Sequence, residues 1–150
     1  MTQVTQRSIT RNQSTADYEI KHAFIWDNTF QNGSFKNTTG ASFVLNECML
    51  VARNTAVAGG LIPVTYTDSS TNNLADIIGI ASQSGDITLA SNASTNITYC
   101  TGGGVDARYL VLPAGVTLDT TVGNKALRDV IADLGIDLDN TTIEMTKFDN

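Results

Sequence analysis

The chain has 150 residues, 41% of them hydrophobic, which suits one domain with a real core if most of the length folds. Its formal charge of -6 argues against a direct nucleic-acid partner, because binding along a phosphate backbone selects Lys and Arg. It has no apolar run of about 18 residues, and Met1 to Ala16 lacks the apolar stretch of a secretory signal, so a soluble protein with no membrane partner and no address signal is expected.

Charge is unevenly placed. Residues 1–53 hold five basic and four acidic groups, whereas residues 54–150 hold four basic and eleven acidic ones. From Met1 to Asp17 the chain is mainly Thr, Gln, Ser, Asn and Arg, with Val4 and Ile9 as its branched apolar residues, and it cannot form a core alone. Residues 1–17 are therefore expected to be a flexible arm and residues 18–150 a single β-rich domain. Arg7 and Arg11, with no acid before Asp17, would favour docking of that arm on an acidic surface.

Tyr18, Ile20, Phe24, Ile25 and Trp26 make a dense apolar and aromatic patch just after the arm, which could be core or contact surface. Asn32-Gly33 between Thr29-Phe30-Gln31 and Ser34-Phe35-Lys36 suits a two-residue turn, so a hairpin is expected there. Further strands are expected at Phe43 to Val51, Asp76 to Ala81, Asp86 to Ala90, Asn96 to Thr101 and Arg108 to Leu112. The Thr- and Asn-rich stretch Tyr66 to Asn73 reads as an exposed loop. Gly102-Gly103-Gly104 reads as a turn or bulge, not a phosphate cradle, because no helix N-terminus follows the glycines.

Beyond Pro113 the period changes. Leu127, Val130, Ile131 and Leu134 share one helical face, and Lys125, Arg128, Asp129 and Asp133 lie opposite. Asn124 or Thr121 could cap the start, and Gly135 sits where a left-handed C-terminal cap is needed. Burying the four apolar residues would contribute about 1.5–3 kcal/mol each, so this short helix is expected to be held by packing on a sheet. Ile136 and Leu138 then alternate with Asp137 and Asp139, the pattern of a strand with one buried face. The fold class expected is mainly β with one short C-terminal helix.

Chemistry is sparsely signalled. His22 is the sole histidine, and nothing around a Ser or Cys marks a nucleophile, so no catalytic residues and no enzyme activity are expected. Cys48 and Cys100 lie far apart without nearby ligand partners and read as two buried thiols, with a disulfide left open. Asp137, Asp139 and Asn140 could offer oxygens to Ca²⁺, but the spacing lacks the remaining ligands of a calcium loop, and neither metal nor cofactor is expected. The triplets at Asn37, Asn92 and Asn96 fit chance in a chain rich in Asn and Thr, and imply no glycan. Asp129 and Asp133 repel at helical spacing near the negative end of the helix dipole, a small cost that a partner's cation could offset.

Taken in order, Ile77-Ile78-Gly79-Ile80, Leu110-Val111-Leu112-Pro113, the polar-led helix and Gly135-Ile136-Asp137-Leu138 make residues 40–140 resemble the head decoration proteins of tailed bacteriophages, the phage lambda decoration protein D family. The resemblance implies a β-tulip-like fold, homotrimers seated over three-fold positions on the outer surface of the capsid, and an N-terminal arm that orders against the major capsid protein. On that basis Val4, Arg7, Ile9, Arg11, Tyr18, Phe24 and Trp26 are the expected capsid-binding residues. The chain is longer than the lambda protein before Phe43, which leaves open how much of Tyr18 to Gly40 belongs to the arm. The alternative is an exposed carbohydrate-binding or adhesive β-module, for which Tyr18, Trp26, Tyr66, Tyr99 and Tyr109 would be the aromatic candidates.

Overall fold

A computed structural model describes residues 23–139, and within them alternation along short strands feeds two separate cores. In chain order the strands are β1 (Phe24–Lys36), β2 (Phe43–Leu45), β3 (Leu50–Arg53), β4 (Gly60–Pro63), β5 (Ile77–Ala81), β6 (Ile87–Leu89), β7 (Ser94–Asp106), β8 (Thr121–Val122), β9 (Lys125–Ala126) and β10 (Ile136–Asp139), with helix α1 (Leu127–Asp133) between the last two. The described part is thus mainly β with one short α-helix.

Strands β1, β4, β3, β5 and β7 are neighbours in that order, and β7 pairs again with β1, so five strands close a ring. Most of that closure is the long antiparallel pairing of β1 with β7, whereas β1 meets β4 in parallel through Ser34 and Phe35. β10 extends the sheet by lying parallel to β7, from Ile136 opposite Gly103 to Asp139 opposite Asp106.

β3 shows how the two cores are separated: Val51 enters one, and its neighbours Leu50 and Ala52 enter the other. The first core holds Phe35, Leu61, Ile97 and Tyr99 from the ring, roofed by Leu45 and Leu89 of the β2–β6 pair. In the second, Ile80, Cys100 and Val105 pack against Leu127 and Ile131 of α1 and Ile136 of β10. Each fully buried Leu, Ile or Phe contributes about 1.5–3 kcal/mol.

Several local expectations differ from the structure, some through long-range pairing and some through local backbone geometry. Asn32-Gly33 is not a turn: Asn32 faces Thr98 and Gly33 faces Ile97 within the regularly paired run Phe30 to Lys36 of β1. Glycine is needed there for space, since a Cβ would come within 2.8 Å of Leu61 Cδ1. The two-residue turn lies instead at Gly123-Asn124, between β8 and β9, with Gly123 at φ 62°. The stretch Phe43 to Val51 is not one strand, because Cys48 adopts φ 63° and the Met49 amide turns back to the Asn46 carbonyl. Arg108 to Leu112 is not a strand either. The Asp106 carboxylate accepts from the Arg108 amide and bends Ala107–Tyr109 into a 3-10 turn, after which Val111 makes a single bridge to Met49.

Helix α1 presents its apolar face as its period requires: Leu127 and Ile131 are buried, and Val130 and Leu134 partly so. Its start differs from expectation. Neither Asn124 nor Thr121 caps it; the Leu127 and Arg128 amides donate to the Thr120 and Leu118 carbonyls at 2.8 and 2.9 Å. Lys125 lies in β9 rather than in the helix. The far end is as read from the sequence, with Gly135 at φ 90° and its amide on the Ala132 carbonyl.

Candidate partner-binding surface

Of the expected contact residues, Val4, Arg7, Ile9, Arg11 and Tyr18 lie outside the described residues, as do the arm they belong to and His22. Phe24 and Trp26 open β1, opposite Val105 and Gly104 of β7. Phe24 is half-buried against the second core, and Trp26 is 44% exposed.

The chain places Trp26 through a bulge. Register slips on either side of Trp26 and again at Thr29, Asp27 takes φ 48°, and Gly103 across from it takes φ 91°. Where the ladder is interrupted, the Asn28 side-chain amide donates to the carbonyls of Gly102 and Gly104, at 3.3 and 2.9 Å. The triple glycine is therefore a bulge partner with a steric reason at two positions. A Cβ on Gly103 would lie 2.5 Å from the Asp27 carbonyl oxygen, and one on Gly104 would overlap the Trp26 indole. Trp26 lies flat on a bare stretch of β7, so its ring is positioned before any partner arrives.

Phe30 is a second exposed aromatic residue of β1. It is 48% exposed and meets Phe24 edge to face, with ring centroids 5.5 Å apart and planes at 75°. Phe30 and Asn28 were missed as site residues because the expected Asn32-Gly33 hairpin assigned this segment to a short strand; the signal available was the aromatic spacing Phe24, Trp26, Phe30. Apart from Ser34 and Phe35, the edge of β1 that faces away from β7 has no strand beside it among the described residues.

At the far end of β7, one position past the residue opposite Phe24, Asp106 is buried and clamps Arg108 through both carboxylate oxygens, at 3.0 and 2.6 Å. Those hydrogen bonds hold the Asp106 carboxyl below the usual carboxylate range against the opposing effect of burial. The Arg108 guanidinium also lies 5.9 Å from the Tyr109 ring centroid.

No family model matches the chain, and no curated protein does.

Other candidates have structural roles. Tyr99 is buried with its hydroxyl on Gln31, and Tyr66 and Tyr109 pack partly on the second core, so among the described residues only Trp26 of the expected glycan-binding aromatics is exposed. Cys48 and Cys100 are both buried in the second core and are not joined to each other. Burial pushes the Cys100 thiol pKa up. Asn37 is wholly buried, its amide donating to the carbonyls of Ala41, Leu89 and Ala90 and its oxygen accepting from Thr39. Its Asn-x-Thr triplet is thus a packing device. Asp133 already has a cation in its own chain, Lys125, so its like-charge pairing with Asp129 gives no reason to invoke a partner's cation. Among the described residues no three His, Cys, Asp or Glu side chains are grouped to hold a metal, and no helix is long and apolar enough to cross a membrane.

Proposed function

We propose that this chain is a structural decoration protein of a phage head, a homotrimer that binds the major capsid protein on the outer surface and strengthens the shell against the pressure of packaged DNA. The observation that carries the reading is that β1, the first described strand after the expected arm, exposes two aromatic rings held in advance, Trp26 over Gly104 and Phe30 against Phe24. Aromatic anchors fixed in advance lose little side-chain freedom on binding and dominate many interfaces. The neighbouring open edge of β1 offers backbone groups to the same partner. The acidic body suits a position outside the shell, away from DNA, while Arg7 and Arg11 supply the basic character of the arm.

No catalysis is required of such a protein. It bridges neighbouring capsid subunits and adds interface that must break before the shell expands. Within this reading the ring of strands with its packed helix corresponds to a β-tulip-like body, and three copies give the multivalent attachment that offsets the cost of ordering an arm. The test is binding to phage heads assembled without the protein. The full chain should bind and raise the temperature at which the heads rupture, and deletion of residues 1–17 should leave a folded protein that no longer binds. Full binding by the truncated chain would remove the arm from the mechanism, and no binding by the full chain would remove the reading.

A further inference from the structure

A groove of about 610 Å³ opens where the outer sides of β1 and β7 run together beside Gly59, next to the start of β4. It is shallow and open to solvent along its length. The register places Asn32 opposite Thr98 and Ser34 opposite Asn96, so four polar side chains make two adjacent rungs along one wall. The Thr98 hydroxyl donates to Asn32 Oδ1 at 2.8 Å, which orients that amide and leaves its N–H groups available to a guest. The Ser34 hydroxyl and the Asn96 amide have no protein partner among the described residues, and both side chains are exposed.

No lining residue is charged. An anion would find no cation in the lining, only Lys36 two residues past Ser34 at the end of the row, and would approach an acidic body. An apolar ligand would find little apolar wall, since Ile97, the one large apolar residue of the lining, is 4% exposed. What the wall offers is neutral hydrogen-bond donors and acceptors in pairs, the complement of a ring bearing several hydroxyls. One aromatic ring extends the row. Phe30 lies two residues before Asn32 on the same side of β1, is 48% exposed, and is braced by Phe24. A pyranose has an apolar C–H face that stacks on such a ring while its hydroxyls engage amides and alcohols. We propose that this groove binds a neutral saccharide of one or two rings, with Phe30 as the stacking platform and Asn32, Ser34, Asn96 and Thr98 as the hydroxyl contacts. The site shares Phe30 with the proposed capsid contact but does not require that reading, and it is tested on the free protein.

The experiment is titration of the ¹⁵N-labelled full chain with maltose, cellobiose and N,N′-diacetylchitobiose, followed by amide shifts. A digalacturonate and a neutral Gly- and Ser-rich peptide serve as comparators. At least one neutral sugar should give saturable shifts centred on Asn32, Ser34, Asn96 and Thr98, with a dissociation constant of about 1 mM or tighter. Asn32→Ala, Asn96→Ala and Phe30→Ala should each weaken it by roughly fivefold to tenfold, the scale of one hydrogen bond or one ring contact, with the remaining spectrum unchanged. The proposal is overturned if none of the three sugars approaches saturation by about 20 mM. It is equally overturned if both asparagine variants bind as the parent does, or if the acidic sugar or the peptide occupies the groove more tightly.

Discussion

Trp26 and the two glycines across from it respond to substitution in different ways, although Gly103 and Gly104 are neighbours. At Gly104 the obstacle is a side chain, so Gly104→Ala should displace the indole and leave the backbone in place. Trp26 is the chain's single tryptophan, and its emission should move to the red in that variant, with a stability loss of about 1–3 kcal/mol. At Gly103 the obstacle is the Asp27 backbone and φ is 91°, so Gly103→Ala should cost more in urea denaturation than Gly104→Ala does. Asp106 gives a second residue-scale prediction. Its carboxyl is depressed in the folded state by Arg108, so its contribution is whole above the ordinary Asp value near 3.9 and is lost as pH falls through the folded value. Asp106→Asn should lower stability by about 1–2 kcal/mol at neutral pH, since Arg108 is half exposed and screened. The gap in melting temperature between parent and variant should narrow below about pH 4.

At the scale of elements, the two ends of α1 separate what sequence can show from what it cannot. Its C-terminal stop is local: Gly135 must take a left-handed φ, and only glycine does so without strain. Its start depends on the Thr120 and Leu118 carbonyls, which the preceding loop presents only once the chain is folded. Asn124→Ala should therefore cost under about 0.5 kcal/mol, less than the ~1 kcal/mol expected of a true cap, whereas Gly123→Val should cost about 1–2 kcal/mol by straining the β8–β9 turn. Chemical denaturation of the two variants distinguishes the arrangements. The same contrast explains Asn32-Gly33. The dipeptide is a good turn sequence by local rules, but the alternation Phe35, Ile97 and Tyr99 buries a continuous β1–β7 pair, and the core contact with Leu61 accounts for the glycine. Apolar periods were legible because they report burial directly. Turn chemistry was not, because the same residues also serve close approach.

For the whole molecule, the expected aromatic cluster was legible in part: Phe24 and Trp26 were identifiable from composition, while Phe30 and the bracing Asn28 required the register of β7. The fixed and exposed ring of Trp26 gives the attachment proposal a quantitative consequence. If Trp26 is an anchor, Trp26→Ala should weaken attachment to heads by about 2 kcal/mol per contact, roughly 30-fold, without unfolding the protein. If attachment is trimeric, losses from the three copies compound, because one held copy keeps the other two at high local concentration. Mixing parent and Trp26→Ala chains through unfolding and refolding before adding them to heads separates the possibilities. Retention should fall more steeply than the fraction of variant when three copies bind as a unit, since trimers with two or three altered copies detach together. A fall in simple proportion would show independent single copies, and retention unaffected by the variant would remove Trp26 from the interface.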